Sequence, residues 1–155
     1  MMILGVDPGL ANVGWGVVKG ETELVGYGQI KTKEGLDLGL RLVMIYDKLA
    51  DLIDKYKVEA MAIEGLYFAK NVKSAMKVAK AMGVISLVGL KKGIKVVEYT
   101  PLQIKVALTG YGRADKDQIK YMVQKLTGVE ELKESDHAVD AVAVALTHLM
   151  TKKLG

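Results

Sequence analysis

The chain has 155 residues, half of them apolar, with two prolines and no cysteine. That composition fits a single globular domain spanning 1–155 and excludes a disulfide framework or a thiolate metal centre. The 22 basic residues exceed the 18 acidic ones for a net charge of +4, which favours an anionic partner such as nucleic acid without requiring one. The first residues carry no basic leader, and no apolar run reaches the roughly 20 residues that span a bilayer, so a cytoplasmic protein without membrane contact is expected.

Residues 2–7 form an apolar run stopped by Asp7-Pro8-Gly9, the pattern of a buried central strand ending in a turn. Val13–Lys19 and Leu24–Lys31 are two further strands, joined by a Gly-Glu-Thr-Glu turn, which makes the first three segments an antiparallel meander. Gly14 and Gly16 fall on one strand face. From Leu38 the apolar positions Leu42, Ile45, Leu49, Leu52 and Tyr56 recur at helical spacing, and Val58–Glu64 returns to a buried strand. Residues 70–92 form a long helix in which Val72, Met76, Ala79, Gly83 and Leu87 trace one apolar stripe. Ile94–Glu98 is another buried strand. Thr100-Pro101-Leu102-Gln103 then combines a capping residue, a first-turn proline and a capping-box glutamine, starting a short helix that ends before Gly110-Tyr111-Gly112. Helices follow over Asp115–Leu126 and Ser135–Met150. This order predicts one mixed α/β sheet flanked by helices.

Two carboxylates stand where buried strands end: Asp7 after Ile3-Leu4-Gly5-Val6, and Glu64 after Ala60-Met61-Ala62-Ile63. A carboxylate at the edge of a core costs free energy unless it is paired, hydrogen-bonded or bound to metal. Asp140 lies on the last helix, opposite Val139, Val142, Leu146 and Met150, and can face the sheet edge. Oxygen ligands with open positions suit Mg²⁺ or Mn²⁺, and a pair of such ions supports phosphodiester hydrolysis. Singly, each acid also fits a turn or a helix terminus; together they describe a site.

Three blocks carry a resemblance: Ile3-Leu4-Gly5-Val6-Asp7-Pro8-Gly9; Ala62-Ile63-Glu64 followed by Ala69-Lys70-Asn71; and Asp140-Ala141-Val142-Ala143 with Thr147-His148. In order, spacing and chain length these resemble the RuvC-type Holliday junction resolvases. The resemblance implies a ribonuclease H-like fold with a five-stranded mixed sheet, and a homodimer that nicks a four-way DNA junction symmetrically in recombination and repair. It further implies Mg²⁺ as cofactor, with Mn²⁺ an alternative and two ions per active site, and the RuvA–RuvB branch-migration complex as a partner. Asp7, Glu64 and Asp140 match the family's catalytic carboxylates. The family's fourth site position falls on His137, with Asp136 one residue earlier as the alternative, and Lys105 and Lys116 match lysines that contact the scissile-strand phosphate.

Lys70, Lys73, Lys77 and Lys80 recur at helical spacing beside Glu64, and Arg113, Lys116 and Lys120 form a second basic set; either can track phosphates or be a solvated face. The resemblance points to Tyr67 as a ring at the junction centre, whereas Phe68 is expected in the core. Ala79, Gly83 and Ser86 allow either internal packing or a dimer seam, which the family favours. Two other functions share parts of this pattern. An actin-like ATPase or sugar kinase also places Asp-x-Gly after its first strand, but closes two domains around nucleotide. A non-catalytic junction-binding module would use the lysines alone.

Overall fold

The structure, a computed structural model of the chain, describes residues 1–65, 71–132 and 135–154. Five strands, β1 (Met2–Asp7), β2 (Asn12–Lys19), β3 (Glu23–Lys31), β4 (Ala60–Glu64) and β5 (Lys95–Tyr99), form one sheet in the order β3-β2-β1-β4-β5. The first three pair antiparallel, while β4 and β5 join β1 in parallel, as the meander and crossover pattern predicts. The helices are α1 (Leu38–Tyr56), α2 (Val72–Lys91), α3 (Pro101–Thr109), α4 (Lys116–Thr127) and α5 (Asp136–Leu154).

Strand alternation sorts the sheet into two faces. Leu4, Val6, Val13, Val17, Met61 and Ile63 pack against Ile45 and Leu49 of α1 and Ile85 and Val88 of α2. The alternate residues Ile3, Val18, Ala62 and Tyr99 pack with α5, α3 and α4. On this second face α5 comes very close to the sheet. A Cβ on Gly5 would lie 1.9 Å from the Ala141 carbonyl oxygen, and one on Gly14 would lie 1.9 Å from that of His137. Glycine at these positions is therefore what lets the helix seat itself. Across the sheet, the Tyr99 hydroxyl and Nδ1 of buried His148 share a 2.7 Å hydrogen bond that ties β5 to α5.

Local signals set the boundaries. Asp37 caps α1 by accepting from Leu40 N–H. Thr100 with Gln103, and Asp115 with Gln118, close full capping boxes on α3 and α4. Three expectations need correction. The β4 strand begins at Ala60 rather than Val58, because Lys57 ends α1 in the left-handed conformation and Val58 N–H still bonds back to the Ile53 carbonyl. The helix α5 runs on to Leu154, and it is buried around its whole circumference from Ala138 to Leu149 save Asp140, not along one face. The α2 stripe of Val72, Met76, Ala79, Gly83 and Leu87 faces away from the core; Ala81, Met82, Ile85, Val88 and Gly89 are the buried side.

Candidate active site

Strand parity dictates where the acids point. Asp7 follows Ile3 and Gly5 on the α5 face of β1, and Glu64 follows Ala62 on the same face of β4, one step beyond the Val6–Ile63 ladder pair. Asp140 projects from the second turn of α5, the helix that Gly5 and Gly14 admit. The three carboxylates can each present an oxygen such that all three atoms lie within 4.8 Å of one another. The cleft beside them, about 450 Å³ in volume, is lined by Glu64, Lys105, Lys116 and Asp140, with Ile104 and Ala143 at its apolar floor.

Such a cluster is electrostatically strained without a cation. Burial, then the charge of Asp140, raises the Asp7 carboxyl to about 7, and burial, then the charges of Asp7 and Asp140, raises Glu64 to about 8. The protonation of Asp7 and that of Glu64 weigh on each other, so the pair titrates as a unit. Asp140 is raised mainly by burial. Lys116 opposes the shift at all three. Its place follows from sequence, since the Asp115 capping box begins α4 at Lys116.

His137 sits one turn before Asp140, its side chain 47% exposed, with Nδ1 2.8 Å from Oδ2 of Asp7. An ionised carboxylate only accepts, so Nδ1 then carries the proton and donates. His137 thus holds Asp7 and stands outside the trio of close oxygens. Asp136 is exposed and its charge adds to the pressure on Asp140. Lys105 lies across the cleft on α3. Arg113 is exposed and Lys120 partly so, both around α4; Lys73, Lys77 and Lys80 are exposed on α2. Tyr67, Phe68 and Lys70 lie outside the described residues. Two features escaped the sequence reading: the cleft's apolar floor, and a buried Arg41–Thr32 pair behind the turn that follows Asp7. The one signal for Arg41 was its position four residues before Ile45 on the apolar side of α1; nothing local pointed to its partner Thr32.

Three carboxylates without sulfur or a cluster of imidazoles suit a hard divalent cation of the Mg²⁺ or Mn²⁺ kind. Acids at the ends of two adjacent parallel strands, met by an aspartate from a helix, define a metal-dependent nuclease site on a ribonuclease H-like sheet. The comparisons narrow that class. The family model for the crossover junction endodeoxyribonuclease RuvC matches residues 3–148. The RuvC of Fusobacterium nucleatum is 44% identical over 96% of this chain and 80% of its own, and that of Moorella thermoacetica is 46% identical over 96% and 90%. The structure of Thermus thermophilus RuvC in complex with Holliday junction substrate superposes with a TM-score of 0.94 at 32% identity, covering 100% of this chain and 96% of that one. The chain belongs to the RuvC family of crossover junction endodeoxyribonucleases.

Proposed function

We propose that residues 1–155 form one nuclease domain that resolves Holliday junctions by symmetric, metal-dependent nicking in DNA recombination and repair. The observation that carries this reading is the Asp7–Glu64–Asp140 cluster, its carboxyls raised by burial and, at Asp7 and Glu64, by neighbouring carboxylates, in a cleft bordered by lysines. Asp7, Glu64 and Asp140 would hold two Mg²⁺ ions, or Mn²⁺ in their place. When bound, the ions activate water and stabilise the leaving oxygen of the phosphodiester.

The residues supply the rest. Lys116 favours the ionised, metal-ready form of all three acids. Lys105 and Lys116, which both line the cleft, neutralise the scissile phosphate. His137 orients Asp7 through Nδ1, leaving Nε2 to exchange a proton with solvent or substrate. In its other expected role, as a direct metal ligand, Nε2 would be the donor atom while Nδ1–H stays on Asp7. Lys70, Lys73, Lys77 and Lys80, with Arg113 and Lys120, extend the phosphate-binding surface, and Tyr67 is the proposed ring at the junction centre.

The homodimer is proposed on α2. Val72, Met76, Leu87 and Leu90 are all at least half exposed, and a Cβ on Gly83 would meet nothing within 4 Å. At helical spacing they form one row, with Lys73, Lys77 and Lys80 between that row and the core face. A second copy covering the row would set two active sites symmetrically, as paired nicking requires. Family membership extends the proposal to the RuvA–RuvB complex as a working partner. No helix among the described residues is long and apolar enough to cross a membrane, and a cytoplasmic location is proposed.

The test is cleavage of a labelled four-way junction beside linear duplex and RNA–DNA hybrid, with Mg²⁺, Mn²⁺ or EDTA. Paired nicks confined to the junction and absent in EDTA are expected. Cutting of the hybrid alone would overturn the substrate, and binding without cutting would favour the junction-binding module.

A further inference from the structure

Behind the Asp7 turn lies a buried polar chain that runs from α1 through the end of β3. Arg41 of α1 is only 8% exposed, and no carboxylate among the described residues lies within ion-pair distance of it. A buried guanidinium without a counter-ion is costly unless its donors are satisfied. Its Nε donates to Thr32 Oγ1 at 2.9 Å, and a terminal nitrogen approaches the Thr32 carbonyl at 3.5 Å. Thr32, 4% exposed, bonds through the same hydroxyl to the Leu10 carbonyl, and its N–H donates to the Ala11 carbonyl at 2.9 Å. Because guanidinium can only donate, the one hydroxyl proton of Thr32 must go to Leu10. The chain therefore has a fixed direction, from the charge on α1, through the end of β3, to the turn.

That turn begins immediately after Asp7 and has little slack. A Cβ on Gly9 would lie 2.3 Å from the Asn12 carbonyl oxygen, and the Leu10 side chain is buried against the α1 face of the sheet. With two consecutive carbonyls held by Thr32, residues 8–11 are clamped to β3 and α1. The charges that weigh on Asp7 itself are those of Asp140 and Lys116, so Arg41 works through the backbone.

We propose that Arg41 and Thr32 are positioning residues that clamp the turn after Asp7 and so hold its carboxylate in register with Glu64 and Asp140 for a shared divalent cation. The inference rests on the nuclease reading of the site. A purely structural role would lower stability without changing metal affinity in the folded protein; a positioning role changes both.

Thr32→Val keeps the shape and removes the hydroxyl, whereas Thr32→Ser keeps the hydroxyl. Mn²⁺ binding to the DNA-free protein is measured by calorimetry, amide exchange is followed at Leu10–Asn12, and single-turnover nicking is read beside metal-free junction affinity. Thr32→Val is expected to weaken Mn²⁺ binding and slow nicking by about tenfold each, the scale on which supports behind metal ligands act. Exchange in the turn should quicken, junction affinity should hold, and Thr32→Ser should restore all the readouts. Wild-type Mn²⁺ affinity in folded Thr32→Val, or a Thr32→Ser variant as impaired as Thr32→Val, would overturn the proposal. If Thr32→Val does not fold, Arg41→Lys, which keeps the charge and loses the planar fork, tests the same link with the same expected direction. Wild-type nicking of the junction in the same series reports on the nuclease reading separately.

Discussion

The two faces of the sheet are built on opposite principles. Towards α1 and α2 the strands present large aliphatic side chains, Leu4, Val6, Val13, Val17, Met61 and Ile63, and the helices pack on them through side chains. Towards α5, the middle of β1 and β2 presents glycine, and the helix backbone rests on the strands. The first arrangement tolerates small repacking. The second leaves the helix little room to shift towards the sheet, because backbone cannot rotate out of the way as a side chain can. Both acids on the strands point to the second face, and their partner Asp140 rides on the helix that is fixed there. Catalytic geometry and tight seating coincide.

That contrast can be broken by substitution. Gly14→Ala forces a methyl against the His137 carbonyl at the start of α5. It should cost about 3 kcal/mol, the upper range of ordinary overpacking, and should also slow nicking by about a hundredfold through displacement of His137 and Asp140. On the other face, Leu49→Ala removes a fully buried side chain and should cost a similar 2–5 kcal/mol. Nicking should nevertheless stay within about threefold wherever the variant is folded, since side chains there can relax. Denaturant titration beside single-turnover rates separates the outcomes; equal rate losses from both variants would erase the distinction.

The acid cluster sharpens the comparison through pH. Asp7 at about 7 and Glu64 at about 8 in the metal-free protein lie well above their unfolded values near 4. A raised carboxyl means that the folded state keeps a proton the unfolded state has released. The stability this provides is full below about pH 4 and is lost as pH rises through 7 to 8. Thermal melts in EDTA should fall across that window, Mn²⁺ should restore the loss, and Asp7→Asn should flatten the slope. Asp7→Asn should also raise metal-free stability at pH 8 by about 1 to 3 kcal/mol, the worth of one or two pKa units. A flat metal-free profile in the wild type would contradict the burial and mutual repulsion of these acids.

The smallest effect on folding belongs to the outer row of α2. Leu87→Glu puts a charge on a half-exposed position and should shift monomer stability by no more than about 0.5 kcal/mol. Sedimentation should show the dimer dissociating, with paired nicks giving way to single ones. An unchanged dimer would move the interface elsewhere.

Much of this was legible in the sequence because the informative residues act locally. The capping box at Thr100 and the buried runs ending at Asp7 and Glu64 announce their structures over a few residues. Strand parity then fixes which way the two strand acids point. The outward turn of the α2 stripe was not legible, because periodicity shows that a helix has an apolar row without showing which neighbour covers it. Nor was the full burial of α5, whose Ala-rich and Val-rich run has no polar side to betray two layers of packing. Arg41 and Thr32 meet only through the tertiary fold, and a lone arginine on an amphipathic helix reads first as a surface charge.

The most direct test of the central claim is single-turnover nicking of a four-way junction by wild type, Asp7→Asn, Glu64→Gln and Asp140→Asn, with junction affinity measured in parallel without metal. The account predicts that each substitution lowers the rate by at least about a thousandfold and leaves affinity within about threefold, because the lysines and not the acids hold the DNA. A variant that still cuts near the wild-type rate, or one that loses cutting only because it no longer binds, would contradict the assignment of these three carboxylates to the chemistry.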